Sequence, residues 1–250
     1  MKKITQILKS KNLLSIFLTA GFPTVDRTIE ILTEIEDYGV DFVELGMPFS
    51  DPLADGETIQ QSSVTAIRNG MTLINYFEVV KIVREKTDLP IVYMGYLNQI
   101  MQYGVIEFCK KCTDLNIECL IIPDMPIEVY EKEYKSIFEE YGLLVSFLIT
   151  PTTPYERIRK IEDLTTGFIY VVSSSSITGK RGKITRKLRA HYEKIKAMNL
   201  AKSTMIGFGI YDKKTFEFAC EYANGAIIGS EFIRYVPKEN AAEFLTSLKA

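Results

Sequence analysis

The sequence predicts an α/β fold built on parallel strands, with a closed barrel of eight strand–helix units as the leading arrangement. Eight short apolar, β-branched runs recur along the chain. Longer amphipathic patterns separate them, with apolar residues spaced for one face of a helix. The strand runs are apolar almost throughout instead of alternating with polar residues, as expected when both faces of a sheet are covered. A doubly wound open sheet is the competing arrangement. No G-x-G-x-x-G follows the first strand, which counts against it.

In chain order, the strand runs are Leu14–Ala20, Val40–Gly46, Pro90–Gly95, Glu118–Pro123, Leu143–Thr150, Gly167–Ser173, Thr204–Gly209 and Gly225–Gly229. The first helix carries Ile29, Leu32, Ile35 and Tyr38 on one side and acids on the other. Further helical patterns cover Asn75–Lys86, Ile106–Leu115, Val129–Tyr141, Tyr155–Leu164, Leu188–Met198 and Lys213–Tyr222. An extra amphipathic segment, Lys3–Lys9, precedes the first strand and is suited to closing the barrel bottom. With no composition break or linker, residues 1–250 are read as one domain.

Hydrophobic residues make up 46% of the chain, enough for a substantial core. A net charge of −2 argues against nucleic acid as the main partner. Cys109-Lys-Lys-Cys112 has C-x-x-C form, but it lies in a helix pattern without a second such pair. Its thiols are read as packing residues, and no metal is expected. The basic start Met1-Lys2-Lys3 is not followed by a signal-type apolar run, and no segment approaches membrane-spanning length. A cytoplasmic location is expected.

The most informative stretch is Glu44-Leu-Gly-Met-Pro-Phe-Ser-Asp-Pro-Leu-Ala-Asp55-Gly-Glu-Thr-Ile-Gln60. It sets a carboxylate at the end of an apolar strand and follows it with a turn-rich acidic loop. An unpaired buried charge is costly in a purely structural strand. The same burial raises a carboxyl pKa into the range useful for proton transfer. Alternation puts Phe42, Glu44 and Gly46 on one face and Val43 and Leu45 on the other. If Val43 and Leu45 meet helices, Glu44 points into the barrel near its C-terminal mouth, where barrel enzymes place their chemistry. The same reasoning groups Ser15, Phe17 and Thr19, and groups Phe168, Tyr170 and Val172. Phe17, Glu44 and Tyr170 together would suit a flat aromatic substrate. Thr178-Gly179, Gly207-Phe-Gly209 and Gly229-Ser230 end the last three strands, and a short helix, Glu231–Tyr235, follows. Such glycines and a helix N-terminus commonly bind phosphate in this fold. His191, the only histidine, is assigned to the surface without a catalytic role.

Thr19-Ala-Gly-Phe-Pro23, the Glu44–Gly56 stretch, Pro123-Asp-Met-Pro126, Thr150-Pro-Thr-Thr-Pro154, Tyr170-Val-Val-Ser173, Thr178-Gly179 and Gly207-Phe-Gly-Ile210 resemble, in order and spacing, the tryptophan synthase alpha family across nearly the whole chain. The resemblance implies a (β/α)8 TIM barrel with an extra N-terminal helix. It implies retro-aldol cleavage of indole-3-glycerol phosphate to indole and glyceraldehyde 3-phosphate, with no metal or organic cofactor in this chain. Glu44 matches the general acid/base, Asp55 the carboxylate for the indole N–H, and Tyr170 an active-site tyrosine. Phe17, Met94, Ile121, Ile149 and Ile227 match pocket walls. Thr178, Gly179, Phe208, Gly209, Gly229 and Ser230 match the phosphate end. The implied partner is a pyridoxal-phosphate (PLP) beta subunit in an αββα heterotetramer. Phe49–Gly56, Asn98 and Pro126 match positions facing that subunit.

The chain departs from the family pattern at Ser176, Glu57 and Tyr211, where glycine, proline and a small polar residue are usual; none is a proposed catalytic carboxylate. Two other readings stand beside the lyase. Another phosphosugar barrel, an isomerase or synthase, would need a strand-end lysine or histidine, and none is present. A non-catalytic alpha-like activator of a beta subunit would draw support from the unusual Ser173–Ser176 run.

Overall fold

The computed structural model describes residues 3–53, 55–172, 185–207, 209–238 and 241–249. Eight strands close on themselves: β1 Leu13–Thr19, β2 Phe42–Gly46, β3 Ile91–Met94, β4 Ile117–Ile121, β5 Leu144–Ile149, β6 Ile169–Val172, β7 Thr204–Gly207 and β8 Gly225–Ile228. Each pairs in parallel with the next, and β8 returns to β1. The expected closed barrel is therefore present, and the open sheet is not.

The helices are α1 Lys3–Ile7, α2 Val25–Glu34, α3 Glu57–Arg68, α4 Leu73–Arg84, α5 Leu97–Tyr103, α6 Val105–Asp114, α7 Ile127–Val129, α8 Lys135–Glu140, α9 Tyr155–Leu164, α10 Arg186–Ala197, α11 Lys213–Cys220, α12 Ser230–Tyr235 and α13 Ala241–Lys249. Side-chain oxygens of Thr24, Thr72, Thr185 and Asp212 cap α2, α4, α10 and α11 by accepting from backbone N–H groups three residues on. Gly39, at φ 76°, ends the 3-10 turn after α2 in a conformation that favours glycine. The helix expected over Val129–Tyr141 is interrupted by a π turn at Tyr130–Tyr134 between α7 and α8. Helices α3, α5 and α13 were not among those expected.

The barrel divides the core into two layers. Leu14, Ile16, Leu18, Val43, Leu45, Tyr93 and Leu120 pack outward with the helices. Leu13, Phe42, Val92, Cys119, Phe168, Met205 and Ile227 fill the interior. Ile4 and Leu8, from α1 and just after it, join the interior set, so this segment closes the barrel bottom as expected. A register shift lets β4 pair Ile117 and Cys119 with adjacent residues of β3, skipping Glu118. The Glu118 carboxylate accepts from the backbone N–H groups of Lys3 and Ile4 at 3.2 and 2.9 Å. A negative side chain thus sits at the N-terminus of α1, where the helix dipole favours it. Cys109 and Cys112 are both buried in α6, and burial pushes the Cys109 thiol up to about 12.

Candidate active site

The C-terminal ends of the strands form the mouth. Glu44 is wholly buried, and its neighbours Val43 and Leu45 pack outward, which turns Glu44 inward. In register it pairs with Phe17 of β1 and Val92 of β3. Neither carboxylate oxygen has a hydrogen-bond partner among the described residues. Burial pushes its pKa well above the ordinary carboxyl value. Burial thus favours the protonated form, from which a proton can be donated.

Where β1 and β2 end, a small cleft opens to solvent; Glu44 and Tyr170 are not themselves part of its wall. Phe17, Thr19, Gly46, Met47, Asp55, Ser63, Met94, Gly95, Tyr96 and Pro123 line it. Asp55 comes from the loop after β2. That loop is held by its own turn, Asp55 N–H to Pro52 O at 3.0 Å, and by Gln60 of α3, which donates to Asp55 O at 2.9 Å. Helix α3 is anchored by a 2.6 Å bond between the hydroxyls of Thr19 and Ser62. Burial raises the Asp55 carboxyl to about 6, and a hydrogen bond from the Tyr96 hydroxyl opposes that rise. Tyr170, inside β6, has its hydroxyl pKa raised by burial and next by the charges of Glu44 and Asp55, so the three groups share one electrostatic field.

Two glycines make this crowding possible. A methyl on Gly46 would occupy the space of the Phe17 ring, and one on Gly207 would collide with the Tyr170 ring and hydroxyl. Gly207→Ala is accordingly expected to displace Tyr170. Overpacking of this kind costs about 1–3 kcal/mol of stability. Misplacement within a site reduces turnover roughly tenfold to a hundredfold. Thermal melting and indole-release kinetics check both effects; unchanged kinetics in a folded variant would take Tyr170 out of the chemistry.

Strand register places the other expected wall residues. Met94, Ile121 and Ile227 face inward, and Phe17 lies across Gly46 at the mouth. Ile149 is not brought there: it pairs with Val171 and packs in the helix-facing layer. Leu148, which pairs with Tyr170 and packs on the interior set, occupies the inward position on β5. Ser146 gave the signal. It is inward-facing and bonded to Phe168 N–H at 2.9 Å, and it fixes the parity of Leu148 two residues on.

At the phosphate end, Gly209 is exposed at φ 78°, and Gly229 lies beside Phe17 and leads directly into α12 at Ser230. Thr178, Gly179 and Phe208, together with Ser173–Ser176, fall outside the described residues. The departures Glu57 and Tyr211 sit at the first residue of α3, two residues after Asp55, and shortly before α11. His191 differs from its expected surface position. It is half-buried, its ring hydrogen-bonds the Val172 backbone, and its Nε2 atom is buried without a partner. Burial, then Lys194, lowers its pKa. Sequence reasoning passed over Tyr96 and Ser62, and it grouped Thr19 with Phe17 without giving it a role. Tyr96 stood in view two residues past an inward strand end, in the Gly95-Tyr96 pair.

No helix among the described residues is long and apolar enough to cross a membrane, and no group of three His, Cys, Asp or Glu among them is placed to hold a metal. What the fold and cleft define is a (β/α)8 barrel whose strand-end mouth holds two acids of raised pKa, Glu44 and Asp55, near the rings of Phe17 and Tyr96. The family model for the tryptophan synthase alpha chain matches residues 4–249. The tryptophan synthase alpha chain of Christiangramia forsetii is 48% identical over 254 residues, covering 100% of this chain and 99% of its own. That of Bacteroides thetaiotaomicron is 46% identical over 245 residues, covering 97% and 96%. A mutant tryptophan synthase alpha subunit from the hyperthermophile Pyrococcus furiosus superposes with a TM-score of 0.85 at 33% identity, covering 96% of this chain and 98% of that one. The chain belongs to the tryptophan synthase alpha chain family. Its activity is the carbon–carbon lyase half-reaction of tryptophan biosynthesis, cleavage of indole-3-glycerol phosphate.

Proposed function

We propose that Glu44 is the general acid/base of this cleavage and Asp55 the group that stabilises charge on the indole nitrogen. The observation carrying the assignment is a fully buried, unpartnered carboxyl on β2, paired in register with Phe17 of the cleft wall, and a second carboxyl, Asp55, in that same wall. Glu44 gives its proton to indole C3, and the ring becomes an indolenine with positive charge at nitrogen. The glycerol hydroxyl on the adjacent carbon then loses its proton to Glu44 and becomes a carbonyl. The C–C bond breaks, and its electron pair restores the aromatic ring. One proton has moved from oxygen to carbon, and Glu44 ends protonated as it began. Asp55 accepts from the indole N–H and offsets the developing charge. The two acids take separate tasks because their surroundings differ.

Phe17, Met94, Ile121, Leu148 and Ile227 enclose the ring in this reading. Gly209, Gly229 and Ser230, with Thr178, Gly179 and Phe208, hold the phosphate through backbone N–H groups. The step needs no cofactor in this chain. PLP belongs to a beta subunit, which receives indole from the cleft in an αββα heterotetramer. Leu53, 91% exposed at the tip of the loop after β2, and Met101, 56% exposed on α5, support a protein partner at this rim, as do the exposed Asp51, Asn98 and Pro126.

Mixing the chain with a tryptophan synthase beta subunit tests the partner. We expect slow indole release from the chain alone, at least about tenfold acceleration on mixing (a coupling of typical size), and co-elution on gel filtration. Cleavage that a beta subunit neither accelerates nor accompanies through the column would remove the heterotetramer.

A further inference from the structure

The Asp55 carboxyl sits in a setting that works against its proposed task. Its burial favours the neutral form, whereas charge stabilisation requires the anion. Among the described residues, one side chain is seen to oppose this. The Tyr96 hydroxyl lies 3.3 Å from Asp55 Oδ2 and donates to it. We infer that Tyr96 is a positioning residue, fixing the Asp55 carboxylate at the rim where the ring nitrogen of the substrate would meet it. The inference rests on the assignment of Asp55 made above.

Tyr96 is built to hold still. It is buried, and its ring stacks on Phe49 of the loop after β2 at 4.7 Å between centroids. Gln99 accepts from Tyr96 N–H at 3.3 Å and donates to Pro48 O at 2.8 Å, so one side chain staples the turn after β3 to the loop after β2. The next residue, Leu97, donates its N–H to Asp124 of the loop after β4 at 2.9 Å. Three mouth loops are therefore fixed around the tyrosine, and its hydroxyl reaches the carboxylate from a rigid base. A 3.3 Å bond is long for two oxygens. Hydrogen bonds in catalytic sites are often long before substrate binds and tighten in the bound complex. The arrangement also joins Asp55 to Phe49, which lies on the segment proposed to face the partner.

Tyr96→Phe keeps the ring and the Phe49 stack and removes only the hydroxyl. A hydrogen bond to a charged group is worth a fold-change of about ten to a hundred. We expect kcat/KM to fall by that factor, mostly through kcat, with the melting temperature nearly unchanged. The acid limb of the kcat/KM profile, set by Asp55 near pH 6, should move upward, because the anion has lost its donor. In an Asp55→Asn background, Tyr96→Phe should change kcat/KM by less than about twofold, since its target is gone. A Tyr96→Phe enzyme with unmoved acid limb and kcat/KM within twofold of the parent overturns the inference while leaving Asp55 in place, provided Asp55→Asn alone is impaired. An equal loss in both backgrounds assigns Tyr96 to structure and overturns it too. If Asp55→Asn alone behaves like the parent, the Asp55 assignment fails first and takes this one with it.

Discussion

Glu44→Gln is expected to lower kcat on the order of 10²–10⁴-fold, the range that a positioned general acid/base contributes. The amide matches the carboxyl in shape but can neither give a proton to C3 nor take one from the hydroxyl. Because the lost interaction belongs to the transition state, KM should change little, and beta-subunit binding should persist. Stability offers an independent check with a definite sign. The folded pKa of Glu44 lies above its unfolded value of 4.5. The folded state therefore holds this proton over a pH range in which the unfolded chain has released it. Stability is greatest below the unfolded pKa and declines as pH rises toward the folded one, by up to about 1.4 kcal/mol per pH unit. Glu44→Gln removes that dependence. Its melting temperature should hold up better than the parent's between pH 5 and the folded pKa. A variant that kept most of its turnover would end the acid/base assignment.

Asp55→Asn is expected to cost about 10²–10³ in kcat, the scale for removing one preorganised electrostatic contact. The amide can still accept a hydrogen bond from the indole N–H but carries no charge against the cation that forms. Since Asp55 must be ionised and its pKa stands near 6, parent activity should fall as pH drops through that value. The acid limb should vanish in the variant. Glu44 must be protonated at the outset, so activity should also fall at high pH through its raised pKa. A bell-shaped profile in kcat/KM follows, with the lower limb from Asp55 and the upper from Glu44. Retention of the acid limb in Asp55→Asn would return Asp55 to a purely structural place in the loop.

The loop after β2 shows how far sequence reasoning reached. Glu44 was legible because a carboxylate among Phe42, Val43 and Leu45 breaks an otherwise apolar strand and reports its own parity. Asp55 was legible from its spacing in the Glu44–Gly56 stretch. Helix α3 was not expected, because its first turn was read as the continuation of a loop. Tyr96 went unnoticed because its relation to Asp55 spans 41 residues and is created by the meeting of two loops.

The sequence by itself determined the eight strands, the closing segment before β1, the family and the inward position of Glu44. These depend on local patterns: apolar runs, a misplaced charge, glycines at strand ends. Tertiary structure alone decided which of Leu148 and Ile149 faces the pocket, that His191 turns against β6, and that Gly46 and Gly207 make room for Phe17 and Tyr170. The physical reason is the burial of both faces of a parallel barrel. Leu and Ile satisfy either side equally, so inward and outward are distinguished only by the register each strand takes with its neighbours.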